Sequence, residues 1–301
     1  MAMRPEVLEQ LRVDHTEKFR IKDHDPNWLP PTVTTSGKKQ RKEAAAQMLA
    51  DNAVELAEAQ ALLYADDRYS VLIILQAMDA AGKDGTIKHV MSGVNPQGCS
   101  VTSFKAPSDE EVDHDFLWRC TKALPRRGDI GIFNRSYYEE VLVTRVHPQI
   151  LDSQRLPVKT GGKAFWEARY DDINNFERHL VRNGTVILKF FLNVSQAEQK
   201  ARFMERLDTP EKNWKFSAAD VRERKHWDEY QQAFETLINA TSTPWAPWYV
   251  IPADRKWAMR VAVSDIITTT INSLDLSYPT LSDAEREELA AARAELDAEP
   301  A

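Results

Sequence analysis

Two cysteines, Cys99 and Cys120, are all that the 301 residues contain. That is too few for a disulfide framework or a self-contained zinc site, and it fits a reducing compartment. Both are expected as buried or half-buried thiols. The seven histidines show no metal-ligand spacing, and neither a Gly-x-Ser-x-Gly elbow nor a Cys/His arrangement suggests covalent catalysis. No apolar run approaches the length of a membrane span, and the opening MAMRPEVLEQLRVDH lacks the apolar segment of a signal peptide. A soluble, cytoplasmic protein is expected. Positive charge is in deficit, 39 Lys and Arg against 46 Asp and Glu, giving a formal net charge of −7. This argues against general nucleic-acid or membrane-surface binding, so a polyanionic ligand would have to meet a local basic patch. No helix-turn-helix, zinc or RNA-binding signature accompanies the basic residues. Hydrophobic residues make up 43%, enough for a real core, and no internal repeat or low-complexity linker divides the chain.

The stretch VLIILQAMDAAGKDGTIKHV, residues 71–90, organises the rest. Val71 to Leu75 form a continuous apolar, β-branched run of the kind found in a parallel strand covered on both faces. It leads into Ala77-Met78-Asp79-Ala80-Ala81-Gly82-Lys83-Asp84-Gly85. This nearly matches the loop in which backbone N–H groups, a helix N-terminus and a lysine surround phosphate oxygens. Ala77 replaces the first glycine, and Asp84 replaces the hydroxyl residue that would touch Mg²⁺. Asp79, inside the loop, can supply an oxygen ligand instead. The rival reading is an ordinary strand-turn-helix junction in which Gly82 and Gly85 merely permit the turn.

Along the chain, residues 1–37 form an N-terminal arm broken by Pro26, Pro30 and Pro31. Lys38 to about Tyr64 carries a helical apolar stripe. Further strands are expected at Cys99 to Phe104, Asp129 to Phe133, Val186 to Leu192 and Trp248 to Ile251. Capping-box spacing at Ser108/Glu111 and Ser136/Glu139 predicts helices, the first running to about Ala123. Others are expected from Ala164 to Arg182, from Ser195, from Ser217 unbroken to about Ala240, and from Asp254 to about Leu274. The acidic tail, 276–301, should be a solvated helix or disordered. Alternating strands and helices imply an α/β fold with a parallel sheet between helical layers, with ligands at the carboxyl ends of the strands.

Two features add chemistry. Asp129 lies at the start of the third strand, and with Asp79 it could make a carboxylate pair facing a phosphate-bound metal; it reads equally well as a solvated turn residue. Basic residues gather at Lys200, Arg202, Arg206, Lys212, Lys215, Arg222, Arg224 and Lys225, and again at Arg119, Lys122, Arg126 and Arg127. Such local fields can attract a polyanion, although a solvated helix face explains Arg222 to Lys225 as well.

The segments AMDAAGKDGTIKHV, NPQGCSVTSFKAPSDEE, RRGDIGIFNRSYYEEVLVTRVHP and RFMERLDTPEKNWKFSAADVRERKHWDEY together resemble the second family of polyphosphate kinases, over roughly Asn52 to Ile271. The resemblance implies a P-loop kinase-like three-layer αβα sandwich, with a catalytic domain over 38–275 and a helical lid at about 200–226. It implies Mg²⁺, with Mn²⁺ as a substitute, and reversible transfer of phosphate between inorganic polyphosphate and nucleoside mono-, di- and triphosphates. By the same resemblance Asp79, Lys83, Asp129, Arg135 and Arg206 are catalytic, with Asp79 and Asp129 holding metal. Ala81, Gly82, Lys83, Asp84, Gly85, Arg202, Lys212 and Lys215 would bind phosphate, and Asn134, Arg135, Tyr138 and Glu139 the nucleotide. Glu139-Glu140, where diphosphate-specific members carry Asn-Arg, is similar to members that accept both AMP and ADP. Homo-oligomers are usual in that family. An ATP-dependent nucleotide or small-molecule kinase of the same fold, and a nucleotide- or polyphosphate-binding module without turnover, stay open as alternatives.

Overall fold

The computed structural model describes residues 5–30, 37–215 and 217–299; the side chains of residues 5, 6, 38, 212 and 215 lie outside that description. The expected phosphate contacts of Lys212 and Lys215 therefore fall outside the described side chains. Among the described residues thirteen α-helices and five strands follow in chain order: α1 Pro5–Leu11, α2 Lys38–Asp66, β1 Ser70–Gln76, α3 Lys83–Val90, β2 Cys99–Ser103, α4 Asp109–Val112, α5 Trp118–Thr121, β3 Ile130–Asn134, α6 Glu139–Val146, α7 Ile150–Ser153, α8 Lys163–Arg182, β4 Thr185–Asn193, α9 Gln196–Asp208, α10 Ala218–Glu223, α11 Trp227–Thr241, β5 Trp248–Pro252, α12 Lys256–Asn272 and α13 Asp283–Asp297.

All five strands are parallel, in the order β2-β3-β1-β4-β5. The apolar run of β1 sits at the centre and every one of its residues is buried, as a strand covered on both faces must be. One helical layer is α2, α3 and α12; the other is α6, α8 and α11. Within the second layer lies a buried polar network. Lys189 of β4 donates to Glu177 of α8 at 2.7 Å, to Tyr138 Oη at 3.0 Å and to the carbonyl of Thr241 at 2.7 Å.

The arm is more ordered than its prolines suggested. Leu8, Leu11, Val13 and Phe19 are buried, and the Val13 amide bonds the Trp248 carbonyl at 2.8 Å along the edge of β5.

Three expected helices are shaped differently. The segment from Ser108 breaks after Val112, because Asp115 Oδ1 accepts the Leu117 amide at 2.9 Å and holds a turn before α5. Ser136 does not cap: it is fully buried, its Oγ accepts the Tyr138 amide at 3.2 Å, and α6 begins only at Glu139. The long helix from Ser217 is divided by a 3₁₀ turn at Arg224–His226 into α10 and α11.

Candidate active site

Residues 77–82 carry the chain from β1 into α3. The backbone is left-handed at Ala80 (φ 60°) and Gly82 (φ 115°). Alternation of this kind turns successive amides inward to make an anion-binding concavity. The φ of 115° at Gly82 calls for glycine there, and a Cβ would also crowd Met259 Cε at 3.1 Å. The outward carbonyls are capped by α9: Gln199 Nε2 donates to Asp79 O at 2.8 Å, and Arg202 Nη1 to Ala80 O and Ala81 O at 3.1 and 2.5 Å. Lys83 Nζ folds back onto Ala77 O at 3.0 Å. Burial lowers its pKa, and the neighbouring Arg135 guanidinium lowers it further.

Arg135 follows β3 with φ 65°. The register Leu75↔Asn134 places it opposite the phosphate loop, where Nη2 pairs with Asp79 Oδ1 at 2.7 Å and Nη1 lies 3.8 Å from Glu139 Oε2. Burial raises the Glu139 pKa, with Arg135 and Lys83 opposing the rise.

Two cavities meet at this pair. The larger, about 840 Å³, is walled by Lys83, Lys105, Arg206, Lys256 and Arg260 along with Asp84, Gly85 and Asn134. The smaller, about 350 Å³, has an apolar side formed by Leu142, Val143, Ile150 and Phe234, and a polar side with Glu139, His147, Glu223 and Tyr230. Asp79, Arg135 and Asp220 line both. Asp220, on α10, lies 4.0 Å from Arg206. Its pKa is raised by burial first and by the Asp79 carboxylate next.

Most of the sequence-derived residues thus converge, and three do not act as expected. Asp129 precedes β3 and its carbonyl accepts the Val71 amide. It therefore lies at the amino end of the sheet, five residues or about 17 Å from the carboxyl end where the phosphate loop sits. Its carboxylate pairs instead with Arg126 at 2.7 Å, so it cannot share a metal with Asp79. Tyr138 is fully buried, with Oη donating to Glu177 at 2.7 Å, and is not available to a nucleotide. Arg202 also departs from expectation. Nε bonds Glu198, Nη1 the loop carbonyls, and Nη2 the carbonyls of Ala253 and Asp254, so it braces the loop and has no N–H left for phosphate. Ala81 is fully buried. Asn134 lines the larger cleft, its Nδ2 bonding Asp84 Oδ1 at 2.9 Å. The basic group before Asp129 does not reach the cleft either, since Arg119 is buried between Glu111 and Glu140.

Sequence reasoning missed Lys105, Asp220, Lys256 and Arg260. Lys256 and Arg260 stand one helical turn apart at the start of α12, directly after β5, and that position at a strand's carboxyl end was their readable signal. Arg260 Nε is buried without a hydrogen-bond partner among the described residues. Its pKa is lowered by burial first and by the Arg202 guanidinium next. Asp220 had no such signal, because it is brought to Asp79 only by the path of α9 and α10.

Comparison with known proteins identifies the family. The family model described as polyphosphate kinase 2 matches residues 39–278. An ADP-polyphosphate phosphotransferase of Rhodopseudomonas palustris is 55% identical over 256 residues, covering 85% of this chain and 89% of that protein. An AMP/ADP-polyphosphate phosphotransferase of Meiothermus ruber is 44% identical over 272 residues, covering 90% and 96%. The crystal structure of polyphosphate kinase 2 from Arthrobacter aurescens TC1 superposes with a TM-score of 0.83 at 40% identity, covering 97% of this chain and 98% of that one. The chain belongs to the polyphosphate kinase 2 family.

Proposed function

We propose that this protein transfers the terminal phosphate of inorganic polyphosphate to ADP and AMP, and runs in reverse when nucleoside triphosphate is abundant. The observation that carries this reading is the Asp79–Arg135 pair on the wall shared by a cationic cleft and a smaller half-apolar cavity. The cleft suits a phosphate chain. The smaller cavity suits a nucleoside, with its phosphates pointing at Arg135. Transfer then takes place between the two, the acceptor oxygen attacking the terminal phosphorus as the bond to the rest of the chain breaks.

Residues 77–83 cradle the donor phosphates with amides and the Lys83 ammonium. Arg135 and Arg206 can each pair two phosphate oxygens. Catalysis consists of positioning and charge neutralisation, with no covalent enzyme intermediate. Among the described residues no three His, Cys, Asp or Glu side chains gather closely enough to hold a metal alone. Mg²⁺, or Mn²⁺ in its place, accepts one or two carboxylates completed by substrate phosphates. Asp79 and Asp220, hard oxygen donors on both cavities, fit that requirement. The ion, when bound, supplies neutralisation of the phosphate oxygens. Residues from about 200 to 226 serve as a lid that brings Arg206 and Asp220 over the site and excludes water.

Glu139, half-buried beside Arg135 in the smaller cavity, supports AMP as an acceptor alongside ADP. Lys83→Ala should nearly abolish transfer while leaving the melting temperature in place, and retained activity would remove the phosphate-loop assignment. Glu139→Asn should depress AMP use more than ADP use; equal loss on both would sink the acceptor argument.

A further inference from the structure

We propose that Gln199 is a positioning residue that makes the placement of Asp79 depend on the lid, with Arg224 as its second anchor. This rests on the reading that Asp79 stands at the transfer point. Gln199 is 1% exposed, and both ends of its amide are engaged. Nε2 donates to the Asp79 carbonyl at 2.8 Å, while Oε1 accepts from Arg224 Nη1 at 2.5 Å. The same Arg224 nitrogen donates to Gln196 O at 3.2 Å.

The chemistry of the two anchors dictates the residue between them. A carbonyl only accepts and a guanidinium only donates, so the bridge must donate at one end and accept at the other. A neutral amide does this. A glutamate would accept from Arg224 but present oxygen to the Asp79 carbonyl; a methionine would satisfy neither.

The position of Arg224 connects this bridge to lid movement. It opens the 3₁₀ turn that divides α10 from α11, which is where the lid rejoins the body of the protein. Asp79 is thus held from two sides, its carboxylate by Arg135 at 2.7 Å and its carbonyl by Gln199. The next two loop carbonyls are braced separately by Arg202. A displacement of the 3₁₀ turn that withdraws Arg224 frees the Gln199 amide and with it the Asp79 carbonyl, while Arg202 on α9 keeps its bonds to Ala80 and Ala81. Gln199 and Arg224 both line the smaller cavity, so acceptor occupancy bears on the same relay.

The test compares Gln199→Met, Arg224→Ala, Arg224→Lys and the Gln199→Met/Arg224→Ala double variant in the full chain, with Asp79→Asn alongside. Steady-state kinetics with ADP and long-chain polyphosphate, melting temperature, and amide hydrogen exchange of residues 79–82 are measured for each. Gln199→Met should lower kcat about tenfold with KM for ADP held within about twofold, because misplacement of a reacting group by a fraction of an ångström acts on the transition state. Arg224→Lys should keep most of kcat, and the double variant should be no worse than Gln199→Met, since one broken relay cannot be broken twice. Arg224→Ala should accelerate exchange at residues 79 and 80 more than at residues 81 and 82. Wild-type kcat in folded Gln199→Met, or full additivity in the double variant, would overturn the relay. If Gln199→Met does not fold, unchanged exchange in Arg224→Ala overturns it instead. Wild-type activity in Asp79→Asn would show that the underlying reading of Asp79 had failed, whatever the relay does.

Discussion

Asp79 and Asp129 both adjoin parallel strands, yet one lies at the carboxyl end of the sheet and the other at the amino end. Asp129 already stood at the start of its strand in the sequence, and ligands gather at the other end; the expected nearness of its strand to the phosphate-loop strand, weighed evenly against a solvated turn, and then the motif resemblance cast it as the second acid. In the proposed reading its place is taken by Asp220, which touches both cavities. Asp129→Asn should therefore leave kcat within about twofold and cost at most about 1 kcal/mol of stability, because its partner Arg126 is 70% exposed. Asp220→Asn should lower kcat at least about tenfold, as loss of a transition-state charge contact does. Steady-state kinetics on both variants separates the assignments. Lys83 adds a pH signature. Its amine is held below 10.5 by burial and then by Arg135, and phosphate binds the ammonium form. Polyphosphate affinity should thus be full while Lys83 is protonated and fall as pH rises through its folded pKa, beginning below 10.5. Titration calorimetry across pH checks this, and Lys83→Arg should move the fall above that value.

Among the elements, the strands were the most legible in the sequence, because continuous apolar runs such as Val71 to Leu75 have few alternatives to a buried parallel strand. Helix punctuation was less so. Ser136 and Glu139 have capping spacing, but tertiary burial of Ser136 claimed its hydroxyl for the Tyr138 amide. Nor could spacing reveal that Tyr138 faces Lys189 and Glu177, since that network joins residues from β4 and α8. Lys189→Met should cost about 3–5 kcal/mol, because it strands the Glu177 carboxylate in the core, and denaturant unfolding would measure the loss. The two ends of the chain should contrast. Every described residue of α13 is exposed, so ending the chain at Ser282 should change stability by no more than about 0.5 kcal/mol. Removing residues 1–30 strips six buried apolar side chains, Val7, Leu8, Leu11, Val13, Phe19 and Leu29, worth about 1.5–3 kcal/mol each. That approaches the whole stability of a domain, and the truncated protein should fail to fold.

At the scale of the whole molecule, a protein of net charge −7 presents one cleft walled by Lys83, Lys105, Arg206, Lys256 and Arg260. The sequence pointed to a local basic patch, but three of these five cations come from α12 and the β2–α4 connection, which only the strand order 2-3-1-4-5 brings beside the phosphate loop. Because the attraction is local and screened over about 10 Å at 0.1 M salt, KM for polyphosphate should rise with ionic strength more steeply than KM for ADP. The central claim is that phosphate passes from a chain in the larger cleft to a nucleotide in the smaller cavity. The most direct test is to incubate the protein with Mg²⁺, long-chain polyphosphate and AMP, with no ATP present, and to resolve the nucleotides by anion-exchange chromatography over time. Appearance of ADP followed by ATP is the predicted result. An absence of both, from a protein that does phosphorylate AMP when ATP is supplied, would contradict the assignment of the cleft to polyphosphate.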